Sequence, residues 1–356
     1  MEIRLPVELN TAVITECWVF EKLAMIQASP FGEDWLSTHF QLYMDPYYSC
    51  YFGDGETHYP SSYFWDILAF EEMPLFALSE EELFSLILRH LREGRYVMLM
   101  ICHVSEEPDG TDFFHEALLY GYDDEKKVFF APQLQSTNLV EQTLSFDTVR
   151  TSLTKLKAYV LQAPQDRIRW AKEYQYPIGT IRIRTDYAPN QVYDALMKFM
   201  PEIWGKTITI TELDRDMQPY GEKTAYKGLG CLFGLREAMH REIHGEPLPP
   251  EFIGFPRNLK KMWEHRQNLL GTMRYVVNRW NIQDETIHGH VQNYAVCCER
   301  FERWVSMAIK AQITGQRDPY IQILKEIPAI YQDEFFTLAD FYNQSASWYA
   351  ENQTRL

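Results

Sequence analysis

The chain has 356 residues, 46% of them hydrophobic, with 34 Lys and Arg against 50 Asp and Glu and a net charge of −16. That balance excludes free binding to nucleic acid, whose phosphates must be met by Lys and Arg, and it disfavours anionic membrane surfaces. The 22 Tyr, 21 Phe and 9 Trp carry more apolar area than a disordered chain does, and at ~150 residues per domain the length gives about two domains.

No run reaches the ~18 uninterrupted apolar residues of a membrane span. The opening stretch MEIRLPVELNTAVITE mixes charges into its apolar residues, unlike a secretory signal. Cys17, Cys50, Cys102, Cys231, Cys297 and Cys298 form no CxxC pair and no metal-ligand spacing. A reduced, soluble, cytoplasmic protein is expected.

In chain order, Thr15 or Glu16 leads into a helix whose first residues include Cys17, with Trp18, Phe20, Leu23, Ala24 and Met25 as apolar faces. SEEELFSLILRHLREG reads as a capped helix: Ser79 is the N-cap, Glu82 completes a capping box and Gly94 ends it. Arg95 to Val104 is a buried strand, Glu116 to Tyr122 a second, and Lys127 to Ala131 a third, reached through the acidic turn Asp123-Asp124-Glu125. Ile181 to Arg184 alternates as a last strand.

From about Asn190 the helical period takes over. QVYDALMKFM is closed by Pro201, KGLGCLFGLREAMHREIH ends at Gly245, and a long helix spans about Asn258 to Trp280. ETIHGHVQNYAVCCERFERWVSMAIKAQI is another, followed by two shorter helices. The expectation is an α+β domain over residues 1–185 and an α-helical domain over 186–356.

Two segments carry chemistry. A cysteine at a helix N-terminus sits at the positive end of the macrodipole, which favours thiolate over thiol. Taken alone, a small Cys on an apolar helix is ordinary core packing. His115, opening the strand HEALLYGY, supplies the second part: a rigid strand can hold an imidazole where a thiolate needs it to take and return protons.

Together the segments resemble papain-like cysteine peptidases. Cys17-Trp18-Val19-Phe20 is similar to the C-W-A-F that opens their central helix, and HEALLYGY to their H-A-V-x-x-V-G-Y strand. The separation of Cys17 and His115, 98 residues, is closer to that of double-glycine leader peptidases, whose "G-x-P-V-x-V-x-V" strand LREGRYVMLMICHV also resembles. The nearest likeness is to the butirosin-pathway acyltransferase and closthioamide amide synthase group, over roughly residues 10 to 165.

The resemblance implies a papain-like N-terminal domain with Cys17 as nucleophile and His115 as base. It implies acyl transfer, forming an amide, from the thioester of an acyl or peptidyl carrier protein to a small amine in natural-product biosynthesis. No cofactor or metal is implied on the chain itself, since the phosphopantetheine arm belongs to the carrier. A cysteine peptidase or thioesterase using the same dyad, and a catalytically silent binding protein of the same fold, are the alternatives.

The sequence departs from the pattern at two places. The orienting Asn or Asp, about sixteen residues after the histidine, is replaced by Ala131, followed by Pro132 and Gln133; Gln133, Asn138 and Asp112 are stand-ins. The oxyanion Gln six residues before the nucleophile is replaced by Thr11, beside Asn10. An activated thioester tolerates weaker machinery than an amide does, which favours acyl transfer over proteolysis.

Other patterns compete less well. Cys50 and His58, around the flexible Gly53-Asp54-Gly55, are a second Cys/His pair or a mobile loop over the cleft, or more simply an aromatic-rich surface turn; the papain-like resemblance implies that this segment borders the groove. His240 and His244 share a helix face, but Arg241 breaks H-E-x-x-H. Basic residues at Arg167, Arg169, Lys172, Arg182, Arg184, Arg257, Lys260 and Lys261 are ordinary surface or a docking face for an acidic carrier protein.

Overall fold

The computed structural model describes residues 1–53, 64–103, 113–135, 138–162, 177–205, 207–213 and 219–353. The chain is a mixed α+β protein, rich in strands towards its N-terminus and helical towards its C-terminus. It begins with β1 (Glu2–Arg4), α1 (Cys17–Gln27), α2 (Gly32–Thr38), β2 (Gln41–Met44), β3 (Cys50–Gly53) and β4 (Leu68–Glu72). Next come α3 (Glu80–Arg92), β5 (Tyr96–His103), β6 (Phe113–Leu119), β7 (Gly121–Asp123), β8 (Val128–Gln135), β9 (Asn138–Ser145), α4 (Phe146–Gln162) and β10 (Ile178–Ile183). The remainder is α5 (Val192–Met197), α6 (Phe199–Trp204), β11 (Thr207–Leu213), β12 (Pro219–Lys227), α7 (Cys231–His244), α8 (Phe255–Arg279), α9 (Glu285–Thr314) and α10 (Asp318–Asn352).

Two compact units are present. The first joins Met1–Gly32 to Tyr59–Ala188 with Asp214–Gln218, and the second joins Glu33–His58 to Pro189–Leu213 and Pro219–Leu356. A single cut at 185/186 therefore misses an excursion: β2 and β3 leave the N-terminal half because β2 pairs with β12, in the sheet β11-β12-β2-β3.

The first unit contains two antiparallel sheets, β1-β7-β8-β9 and β4-β10-β5-β6. Leu83, Phe84, Ile87 and Leu91 of α3 and Val149, Leu153 and Leu156 of α4 pack in one core with Val97, Leu99 and Ile101 of β5. The capping box on α3 forms as its sequence predicts: Ser79 accepts from the Glu82 N–H and Glu82 accepts from the Ser79 N–H, while Gly94 takes φ +79° past the helix end. The glycine of the HEALLYGY segment has a steric reason. A Cβ on Gly121 would stand 2.2 Å from the Ile3 carbonyl oxygen, where β1 pairs with β7.

α1 has the sequence of a buried helix rather than an amphipathic one. Val19, Leu23, Ala24 and Ile26 have no exposed surface, and Phe20 and Met25 nearly none. It packs on β6 and β8.

The second unit is built around α8, with Leu269, Leu270, Met273, Val276 and Val277 in a core shared with α9 and α10. Three expectations are corrected here. Pro201 does not end the helical segment; it sits in the first turn of α6, where a missing N–H costs nothing. The β11–β12 hairpin stands in the half expected to be helical. The two final helices are one, α10, continuous through Pro328, because Ile323, Ile327, Ile330, Leu338 and Phe341 form a buried stripe running past it. No helix among the described residues is long and apolar enough to cross a membrane.

Candidate active site

Cys17 is the first residue of α1, after Glu16 in an extended N-cap conformation (φ −127°, ψ 111°). The N–H groups of Val19 and Phe20 donate to the Glu16 carbonyl at 3.0 Å. The first turn carries no acidic residue. The N-cap residue Glu16 is a buried carboxylate at the positive end of the macrodipole, beside Cys17. The Cys17 side chain itself lies outside the described residues.

The chain before α1 is tied back along the helix. The Glu8 N–H donates to Ala24 O at 2.8 Å, and the Ala12 N–H donates to Gln27 Oε1 at 3.0 Å. This fastening commits Thr11, whose hydroxyl donates to Val13 O at 2.9 Å. Asn10 is exposed, its N–H donating to Glu8 Oε1.

His115 lies on β6 opposite Ile101 of β5, half-buried. Its Nδ1 is 2.9 Å from the backbone carbonyl oxygen of Glu116. A carbonyl oxygen only accepts, so Nδ1 carries a proton. A backbone group of the next residue thus holds the ring. The expected orienting position is no competitor: Ala131, on β8 opposite Gln142, is 1% exposed with an apolar side chain. Gln133 and Asn138 are exposed on β8 and β9, and Asp112 lies outside the described residues.

The helix that begins at Cys17 packs on the strand that holds His115. Two segments 98 residues apart thereby become neighbours within one unit.

Two further residues here had no role in the sequence reading. Glu21, on α1, is 1% exposed, and Glu116, on β6, is 8% exposed. Burial, and secondarily the Glu116 carboxylate, push the Glu21 carboxyl well above the usual range, against the opposing Lys22 charge and a Leu118 N–H that donates to it. The signal available was the Glu21-Lys22 pair inside the otherwise apolar CWVFEKLAMI.

The rival residues stand elsewhere. Cys50 belongs to the second unit, buried on β3, its N–H donating to Asn258 Oδ1 and its carbonyl accepting from Lys261 Nζ, both at 2.7 Å. His58 lies outside the described residues. His240 and His244 stack at 4.1 Å, and His244 Nδ1 is 2.8 Å from the His240 carbonyl. Among the described residues no group of His, Cys, Asp and Glu could hold a metal ion. Of the basic residues, Arg184 pairs with Asp186 at 2.8 Å, Lys260 lies over the Trp263 ring and Lys261 is buried; Arg167, Arg169 and Lys172 lie outside the described residues. In comparisons with known proteins the chain matches no family model, and no curated protein is significantly similar to it.

Proposed function

We propose that the chain is a papain-like cysteine acyltransferase, an amide synthase, with Cys17 as nucleophile and His115 as base. The supporting observation is the packing of the Cys17 helix on the His115 strand, with the imidazole Nδ1 bound to the Glu116 carbonyl. Nε2 takes the Cys17 proton. The thiolate then attacks the carbonyl carbon of an acyl group carried as a thioester on the phosphopantetheine arm of an acyl or peptidyl carrier protein. A new thioester forms on Cys17, and the carrier thiolate leaves with the proton held by His115. A small amine then attacks this thioester, the C–N bond forms, the Cys17 thiolate is expelled and the amine proton passes to His115 Nε2.

The apolar Ala131 fits this reading better than proteolysis. A backbone carbonyl orients the ring but carries no full negative charge to stabilise an imidazolium, and a thioester asks for less assistance than an amide. The test is intact-mass analysis after incubation with an acylated carrier. The wild type should gain the acyl mass, Cys17→Ala should gain none, and His115→Ala should acylate at least about a hundredfold more slowly. An equal adduct on Cys17→Ala defeats the reading. Free acid as the sole product with and without an added amine assigns the site to a hydrolase instead.

A further inference from the structure

We infer that Glu21 and Glu116 share a single proton, and that this carboxyl pair positions the helix of the nucleophile on the strand of the base. The inference rests on the cysteine reading above. Glu21 stands one turn after Cys17 on α1, and Glu116 follows His115 on β6 and supplies the carbonyl that holds its ring. Glu21 Oε2 and Glu116 Oε1 are both buried and have no hydrogen-bond partner among the described residues. An unmet buried carboxylate oxygen is costly, and two ionised carboxylates in one apolar space costlier still. One proton on Glu21, donated to Glu116, meets both needs and forms a short charge-assisted bond between helix and strand.

The surroundings leave this as the balanced state. On α1 the charged neighbours are Lys22, buried, and Glu16 at the N-cap; on β6 there is His115; β8, which also packs on α1, carries no ionisable residue among its described positions. Lys22 lies 5.7 Å from the Phe64 ring centre and opposes the upward shift of Glu21 without reversing it. The Leu118 N–H fastens Glu21 to the same strand.

The sign of the pH dependence follows. A carboxyl whose folded-state pKa is raised contributes stability that is complete below its unfolded pKa of about 4.5 and is lost as pH rises towards the folded value. Glu21→Gln keeps a hydrogen-bond donor facing Glu116 but cannot ionise. Its melting temperature relative to wild type should therefore climb as pH rises above about 5, and Glu116→Gln should flatten the same dependence. Carbamidomethylation of Cys17 by iodoacetamide, read by peptide mass mapping, follows the positioning role. Glu21→Ala should slow it about tenfold at pH 7, and Glu21→Gln should recover most of that loss. A Gln-to-wild-type melting difference that does not change with pH, or an Ala variant alkylated at the wild-type rate, overturns the inference. Should Glu21→Ala not fold, the Gln series decides alone. Both signatures intact on a protein that forms no acyl adduct would leave the pair standing and remove the acyl-transfer reading.

Discussion

Helix α1 in the first unit and helix α8 in the second are each buried on nearly every face, and each carries charged residues into an apolar interior. In α8, Lys261, His265 and Arg266 meet opposite or neutral partners. Arg266 forms two bonds to Glu334, at 3.0 and 3.2 Å, Tyr294 donates to the same carboxylate, and His265 Nε2 faces Glu202 at 3.1 Å. In α1, Glu21 is buried, and its carboxyl is pushed up by burial and by the charge of Glu116. Opposite charges with several hydrogen bonds lock a helix in place over a wide pH range, whereas like charges hold only while a proton sits between them. Buried charge is therefore weak grounds for assigning a function by itself; the sign of the neighbour distinguishes the two cases.

Glu334→Ala should break this contrast most severely. It strands the Arg266 guanidinium in the interior and removes the acceptor for Tyr294, for a cost of about 3–5 kcal/mol. Amide hydrogen exchange in α8 and α10 measures it locally, and unchanged protection there would show that water reaches the pair. An effect of the opposite sign to that of Glu21 is expected at Lys198. Burial pulls this ammonium down to about 7, against the pull of Glu202, and the side chain donates to Asn268. A lysine with a lowered folded-state pKa contributes stability that is present above its unfolded value, about 10.5, and is lost as pH falls towards 7. Lys198→Met should therefore gain stability relative to wild type on going from alkaline to neutral pH and change little below that. A difference that is flat over this range would show that the buried amine stays paired and charged.

What the sequence made legible was local. The Ser79–Glu82 box, the Gly94 and Gly245 helix ends, the β5 strand and the α1 start depend on residues within a few positions of one another. What it hid was set by distant partners. Thr207–Leu213 alternates as a strand should, yet it joins a sheet completed by residues 41–53, so its half of the chain reads as helical until that pairing is known. The two final helices merge into one because the buried stripe that carries α10 through Pro328 is repaid by packing rather than by propensity. At the site, the helix start at Cys17 and the strand at His115 were visible. The carbonyl that orients the ring was not, since every residue offers one and only the fold selects which is used.

The mildest change expected here sharpens the contrast by lacking a buried charge altogether. Ser79→Ala removes the side chain that accepts the Glu82 N–H at the exposed start of α3, for a loss of about 1 kcal/mol. The Glu82 carboxyl is held below its usual range by hydrogen bonds from Ser79, so its share of the cap is present above the ordinary carboxylate range and is lost only as pH falls through its lowered value. Between about pH 6 and about pH 9 the stability difference between Ser79→Ala and wild type should therefore be constant, while the Glu21→Gln difference over the same interval is not. If calorimetry found both slopes alike, the pH dependence would belong to the first unit as a whole, and the carboxyl pair beneath Cys17 would lose its claim to it.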